Sequence, residues 1–481
     1  ESATVLTTAD GLPSDEVSSI LPGADGTLWV ATSSGPARRG ADGTVVAVPL
    51  PGSRSARLRG LARGRDGSLW VGSDAGLLRL RDGKGRTFGL ADGLASERVH
   101  AVASDRDGNV WAATAGGLCR ISGEAVACLA DDGPISPSPV FPVLEDDSGD
   151  LWYGAAGSGL HRLSASPFLP LGRPEGLPTD VVLCFLEDRH GRVWIGTYGG
   201  GLAVRDGAQG KVFSTANGLP DDTVVGLHED RDGVVWAATK GGLAAISGDA
   251  VRPGLVPRGL PSADLYAVGS DRAGTLWVAS DSGLSWREGR FFRTLGAAEG
   301  LEGRRYRMMA ATSDGAVWAG LSGGGLVRVR DGRTTLFGRA EGLPEATFYA
   351  LSEDADGTLR GGTLGGGLVL GRGGRFRSFT TSDGLPDDTV YEVLDDGLGN
   401  LWLTSNRGIA RVSRADLAAY EAGRARSVRA RVFGAGDGLR SAECNGAGEP
   451  SAIRTRDGRL WIATLGGAAV LDPRAAERPP L

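Results

Sequence analysis

Short apolar runs, each bounded by glycine or by an Asp-Gly pair, recur along the whole chain. A phrase such as GLPDDTVVGLHED (218–230) reads as a turn and then a strand. The Asp-Gly that follows makes a tight hairpin, and VVWAAT (234–239) is a second, almost wholly apolar strand. A Gly-Gly-Leu opens a third strand. Segments such as GKVFST (210–215) supply a fourth before the next Gly-Leu-Pro.

This pattern is written eleven times, from DGTLWVAT (25–32) to DGRLWIAT (457–464). The tryptophan position falls at Trp29, Trp70, Trp111, Trp152, Trp194, Trp236, Trp277, Trp318, Arg360, Trp402 and Trp461, with spacings of 41, 41, 41, 42, 42, 41, 41, 42, 42 and 59. Glycine stands three residues before it in every copy, and Leu or Val immediately before it. Forty-odd residues per four strands is the period of a β-propeller blade, whose sheet packs both faces on its neighbours. The fold expected is therefore all-β, with eleven four-stranded blades and the tryptophan as a wedge between blades. In the one long interval, SRADLAAYEAG (413–423) predicts a short helix capped by Ser413 and Asp416 and stopped at Gly423, an insertion in an outer loop.

Two closures are open. Counting seven blades back from the C-terminal end gives one complete propeller over 165–473, with an outer strand near Phe168, preceded by four blades of another over 1–164; 474–481 is then a linker to an absent C-terminal domain. The rival is a single eleven-bladed ring clasped by an outer-strand segment at 3–8. The wide central hole of so large a ring argues against it.

The repeat resembles the two-component regulator propeller family, on its Gly-Leu-Pro phrases at Gly11, Gly176, Gly218, Gly259, Gly342 and Gly384, its hydrophobic-Trp phrase, and Thr-x-Gly-Gly-Leu as in TYGGGL (197–202). SNRGIARVSRADL (405–417), GDGLRSAECNG (436–446) and DGRLWIATLGGAAVLDP (457–473) are similar to the last two blades of that family. The resemblance implies the periplasmic or extracytoplasmic sensor region of a bacterial hybrid histidine kinase or related signalling protein. In that family two seven-bladed propellers usually precede an immunoglobulin-like domain, a membrane span and a kinase or cyclase module. It also implies a small-molecule or oligosaccharide ligand and a homodimer formed through the parent protein. The remaining readings are a non-enzymatic protein-interaction scaffold and, with less support, a propeller-fold polysaccharide lyase or hydrolase.

Composition narrows these choices. The 481 residues carry 52 Lys+Arg against 58 Asp+Glu, scattered along the chain, so the footprint of a nucleic-acid binder is missing. Glycine is abundant, at 79 residues, but follows no collagen period. No apolar stretch approaches the roughly 18 residues of a membrane span, and a chain that opens at Glu1 without a leader reads as a trimmed piece. His100, His161, His190 and His228 fall in different repeats without ligand spacing, and there is no HExxH, GxSxG or P-loop pattern. No catalytic residue, metal site or cofactor is therefore expected. Paired acids such as Asp221–Asp222 and Asp387–Asp388 read as turn caps, and Asp-x-Asp-Gly at Asp105, Asp230 and Asp354 as hairpin turns. Cys119 and Cys128 flank a two-residue hairpin symmetrically. They are either a disulfide, which implies an oxidising compartment, or two small buried apolar residues.

The candidate ligand site comes from breaks in the pattern of the inner strands. Seven residues after the Gly-Leu-Pro glycine, four successive blades carry Tyr266, Arg307, Tyr349 and Tyr391, and Arg304, Arg305 and Tyr306 cluster in GLEGRRYRMM (300–309). At a channel mouth these seven residues would stack sugar rings and pair with carboxylates. The bland alternative is tyrosine packing between blades, with arginine answering nearby acids.

Overall fold

The computed structural model describes residues 3–23, 25–50, 56–129, 138–146, 149–163, 166–207, 209–253, 256–296, 301 and 305–477. The chain divides into two compact units, 1–165 (with 478–481) and 166–477. Among the described residues there are eleven antiparallel sheets, ten of four strands and one of three. Each blade is named here by the residue at its tryptophan position.

The repeated phrases have separate physical jobs. At Gly-Leu-Pro the glycine ends a one-turn 3-10 helix in the left-handed region, as at Gly218 with φ 109° and its N–H donated to the Thr215 carbonyl. The leucine that follows is buried: Leu219 is 4% exposed and Leu343 3%. The second strand is buried along its whole length in several blades, as in Val193–Thr197 and Val235–Thr239. The threonine that ends it donates its hydroxyl to a carbonyl across the next turn, as Thr239 does to Gly242 at 2.7 Å. The indole N–H of the wedge donates to the aspartate six residues earlier: Trp111 to Asp105 at 2.8 Å, Trp194 to Asp188 at 2.8 Å, Trp236 to Asp230 at 2.7 Å and Trp402 to Asp396 at 3.0 Å. Asp105 and Asp230 of the Asp-x-Asp-Gly phrases are therefore hairpin and indole caps, while Asp354 pairs with Arg360 and Arg414. Burial alone would raise Asp188, but the Trp194 indole and Arg192 hold its carboxyl below the ordinary value.

In the second unit the inner strands neighbour one another in the order Val182–Glu187, Val224–Glu229, Leu265–Ser270, Tyr306–Ala311, Thr347–Glu353, Glu392–Asp395, Ala452–Arg454, and back to Val182–Glu187. That is a closed ring of seven blades. Phe168–Leu171 closes it by pairing with Gly467–Leu471 of the Trp461 blade, Phe168 opposite Leu471 and Leu171 opposite Ala468. Two polar stitches cross the seam: Arg440 clamps Glu175 at 2.7 and 2.6 Å, and the Arg456 N–H donates to Glu187 at 2.9 Å. The same stitch recurs between other blades, as Arg189 to Glu229 at 2.7 Å.

The first unit holds four blades, the fourth with only three strands. Segment 3–8 forms no strand: it is coil running into the 3-10 helix Thr8–Asp10, so the clasp required by the eleven-bladed ring is absent. Residues 474–477 are not linker. Pro473–Glu477 is a 3-10 helix that buries Ala476, whose carbonyl accepts from Arg411 at 3.0 Å. Residues 478–481 lie outside the described residues. The insertion is the helix Arg414–Glu421, with Ser413 as N-cap accepting from the Ala415 N–H; the reciprocal Asp416 bond of a capping box is not formed. Cys119 and Cys128 sit opposite each other on adjacent strands and are joined by a disulfide.

Candidate functional site: a cationic and aromatic arc

The inner strand of nearly every blade starts with one residue that the neighbouring strand does not match. The irregularity falls between Leu265 and Ala267, between Tyr306 and Met308, and between Phe348 and Ala350. Such a bulge releases one side chain from the in-and-out alternation of the strand and re-aims it. The residues at this position in consecutive blades are Leu183, Val225, Tyr266, Arg307 and Tyr349. Tyr391 leads into Glu392–Asp395, and its N–H donates to the Thr404 carbonyl at 2.8 Å. The position is apolar and buried in the first two blades. In the next four it is half-buried and polar-tipped.

These four side chains meet. The Arg307 guanidinium lies over the Tyr266 ring at 5.3 Å and over the Tyr349 ring at 4.9 Å, and Tyr349 meets Tyr391 edge-on at 5.1 Å. Lys240 extends the series from the preceding blade, its ammonium 3.9 Å from the centre of Tyr266. The result is an arc of alternating cation and ring across five blades, and a partly solvated contact of this type is worth about 0.5–1 kcal/mol. Lys240 also donates to Asp264 at 2.6 Å, and the Tyr391 hydroxyl to Asn406 at 2.8 Å. Arg307 has no carboxylate partner among the described residues; its contacts are the two rings. Burial, and then the Asp264 charge, raise the Tyr266 phenol; burial also raises Tyr391. Asp281 is held low by the Ser262 hydroxyl first, then by Ser282, Arg305 and Lys240.

The other predicted residues separate. Arg305 is exposed and close enough to act on Asp281. Tyr306 is not at the mouth: it is 0% exposed and packs among Ala267, Trp277 and Leu321 between blades, because the bulge turns Arg307 out and leaves Tyr306 facing the core. Arg304 lies outside the described residues. Asp387 and Asp388 cap their own turn, accepting from the Thr389 and Thr381 N–H groups at 2.9 and 2.6 Å, and do not answer Arg307. Trp286 meets Trp277 in a tilted contact at 5.6 Å. Arg360, in a wedge position, keeps the repeat's contact to the sixth-preceding aspartate: its Nε is 3.0 Å from Asp354, with Asp395 at 3.6 Å.

Lys240 was missed in the sequence. Its signal is the variable residue of Thr-x-Gly-Gly, which lies beside the bulge position of the next blade. Segment 445–450 was missed as well. The Glu449 N–H donates to Val225 at 2.8 Å, the Leu227 N–H to Glu449 at 3.3 Å, and the Phe185 N–H to Pro450 at 3.0 Å, so the segment pairs with two inner strands at once. Gly446 lies against the Tyr391 ring and Gly448 against the Leu183 backbone, where any side chain would collide. The segment brings Glu449 near Glu392, itself 6% exposed and accepting from Val393 and Ser451, each at 3.2 Å. Burial raises the Glu392 carboxyl against its backbone bonds and Arg360; burial and then Glu392 raise Glu449.

Among the described residues no group of three or more His, Cys, Asp or Glu can hold a metal ion, and no helix is long and apolar enough to cross a membrane. Cys184 and Cys444 are buried free thiols pushed far up or up to about 12 respectively by burial.

Comparison with known proteins agrees with this architecture. The chain is similar in structure to the extracellular domain of BT3049 from B. thetaiotaomicron, assigned to a hybrid two component system, at 19% identity and TM-score 0.69, covering 98% of this chain and 64% of that one. It is similar to the extracellular domain of BT4673 from B. thetaiotaomicron at 17% identity and TM-score 0.52, covering 97% of this chain and 65% of that one. The chain thus spans just under two thirds of the length of these structures. No curated protein matches the sequence. The two component regulator propeller family matches residues 11–34, 93–116, 176–199 and 218–241, two repeats in each unit, each running from a Gly-Leu glycine past the wedge tryptophan. Four of the eleven repeats of this chain are thus repeats of the two component regulator propeller type.

Proposed function

We propose that this chain is the extracytoplasmic, ligand-sensing region of a bacterial two-component signalling protein, and that its ligand is an oligosaccharide bearing acidic groups, held on the Lys240–Tyr266–Arg307–Tyr349–Tyr391 arc. The observation that carries this reading is Arg307: a guanidinium between two tyrosine rings, with no carboxylate partner among the described residues, at a position that is an ordinary buried aliphatic in earlier blades. Tyrosine faces suit sugar rings, and an uncommitted guanidinium suits a carboxylate. The family repeats and the description of the similar structures as extracellular domains support the signalling role. The Cys119–Cys128 disulfide supports an oxidising, periplasmic compartment. On this reading residues 1–164 are part of a further propeller. The chain itself catalyses nothing, and ligand binding biases a dimer formed through the parent protein.

The test is thermal unfolding with tetragalacturonate, maltotetraose serving as the uncharged control. A ligand that binds the native state raises Tm with concentration. Tetragalacturonate should raise the transition of 166–477, and Arg307→Ala and Tyr349→Ala should each abolish the rise. A rise that survives both substitutions removes the arc from the account. No rise with either sugar favours the scaffold reading, and release of reducing ends favours a lyase or hydrolase.

A further inference from the structure

A second site lies at the seam of the closed ring, apart from the arc, and the repeat itself shows what is missing there. In most complete blades of the second unit a ring from a neighbouring strand covers the wedge residue. Phe213 stacks on Trp194 at 5.8 Å, Phe337 meets Trp318 at 4.9 Å, Phe433 stacks on Trp402 at 5.3 Å, and in the Trp277 blade Trp286 takes that role. Phe213 and Phe337 lie opposite the first residue of the third strand, Leu202 and Leu326. In the closing blade the matching residue is Leu171, opposite Ala468. The cross-strand partner of Trp461 is Val470, as that of Trp194 is Val204, where Trp318 and Trp402 have Arg328 and Arg411. With leucine in place of the ring and valine in place of the guanidinium, Trp461 has neither of the two covers the other wedges use. Its edge still meets Phe185 at 6.2 Å, but it is half-buried, whereas Trp194, Trp236 and Trp402 are at most 1% exposed.

The space left is a cavity of about 580 Å³ between the first and last blades, floored by Trp461, Leu171, Val193 and Val470. That size lies within the range of small-molecule sites. Its rim is charged, with Arg205, Arg456 and Arg459 against Glu187 and Asp457. Arg456 and Arg459 are exposed and Arg459 lies 3.4 Å from Asp457; three guanidiniums against two carboxylates leave the rim one excess positive charge beside an aromatic floor.

We propose that this seam cavity binds a small planar aromatic carboxylate, its ring taking the place over Trp461 that a phenylalanine takes in other blades and its carboxylate facing the Arg456–Arg459 rim. The ring supplies the stacking the repeat lacks here, and the carboxylate gains a charge-assisted contact that a neutral ring does not.

The probe is indole-3-acetate, titrated calorimetrically into the full chain, with indole as the uncharged control. Leu171→Phe restores the missing ring. It should weaken indole-3-acetate at least tenfold while leaving the unfolding transition of 166–477 at the same temperature or higher, as filling a cavity does. Val470→Arg restores the cross-strand arrangement of Trp318 and Trp402 and should weaken binding similarly, which keeps the test valid if Leu171→Phe fails to fold. Arg459→Ala should weaken indole-3-acetate about fivefold and leave indole unchanged. Indole-3-acetate binding equally to the native chain and to a folded Leu171→Phe or Val470→Arg protein overturns the proposal, as does no heat of binding to the native chain at millimolar ligand. Equal loss for indole and indole-3-acetate in Arg459→Ala overturns the role of the rim.

Discussion

The two units are cut from the same repeat and finish differently. In the second, the last blade has only three strands of its own, and Phe168–Leu171 arrives from the other end of the unit to complete it. In the first, the fourth blade has three strands among the described residues; large apolar side chains are exposed in both units, Ile20 at 61% and Leu160 at 69% in the first and Leu169 at 61% and Phe291 at 60% in the second. The second unit has its seam stitched by Arg440–Glu175 and Arg456–Glu187. The repeat therefore specifies a blade, while closure depends on a few residues outside the repeat phrase. Each blade gains most of its stability from its neighbours.

The largest expected effect breaks the closure. Phe168 is 2% exposed and meets Phe433 edge-on at 5.8 Å. Phe168→Ala should cost the second unit about 3–5 kcal/mol, the range for a buried ring. Leu160→Ala, on the uncompleted blade of the first unit, should change stability by less than about 0.5 kcal/mol, as at an exposed site. Differential scanning calorimetry resolves the two cases. Equal losses would mean that closure is not what distinguishes the units.

A smaller effect sharpens the comparison through pH. Glu392 and Glu449 belong to the closed ring, and both carboxyls are raised above the ordinary value of 4.5 by burial. A raised acid is charged more readily in the unfolded chain than in the fold. The second unit should therefore lose stability as pH climbs above about 4.5, until both groups are ionised in the native state as well. Glu449→Gln removes one of the charges. Its melting temperature should exceed that of the native protein at pH 8, by the equivalent of about 1–3 kcal/mol, and match it near pH 4. A difference independent of pH would show that the pair does not titrate with folding.

What was legible in the sequence follows from periodicity. The blades could be read because each wedge, each hairpin Asp-Gly and each left-handed glycine recurs at fixed spacing with a local physical cause. The four residues of the arc at one repeat position could also be read, since Tyr266, Arg307, Tyr349 and Tyr391 depart from Leu183 and Val225 at an identical place in the repeat. Tyr306 was misplaced because a bulge shifts the alternation by one residue, and no residue type announces a bulge. Segment 3–8 looks like an outer strand by composition, but it pairs with no strand among the described residues. Segment 445–450, with its two inner-strand partners, is non-local: its glycines are required by Tyr391 and by the Leu183 backbone, more than fifty and more than two hundred and sixty residues earlier in the chain. The seam cavity emerges only by comparing Leu171 with Phe213 and Phe337 once the closing strand has been placed.

The measurement that tests the central claim most directly is hydrogen–deuterium exchange with and without saturating tetragalacturonate. The account predicts slowed exchange at Lys240, 264–267, 305–309, 347–351 and 389–393, which carry the arc, and unchanged exchange throughout 3–163. Protection confined to the first unit, or to the outer strands of the second, would contradict it.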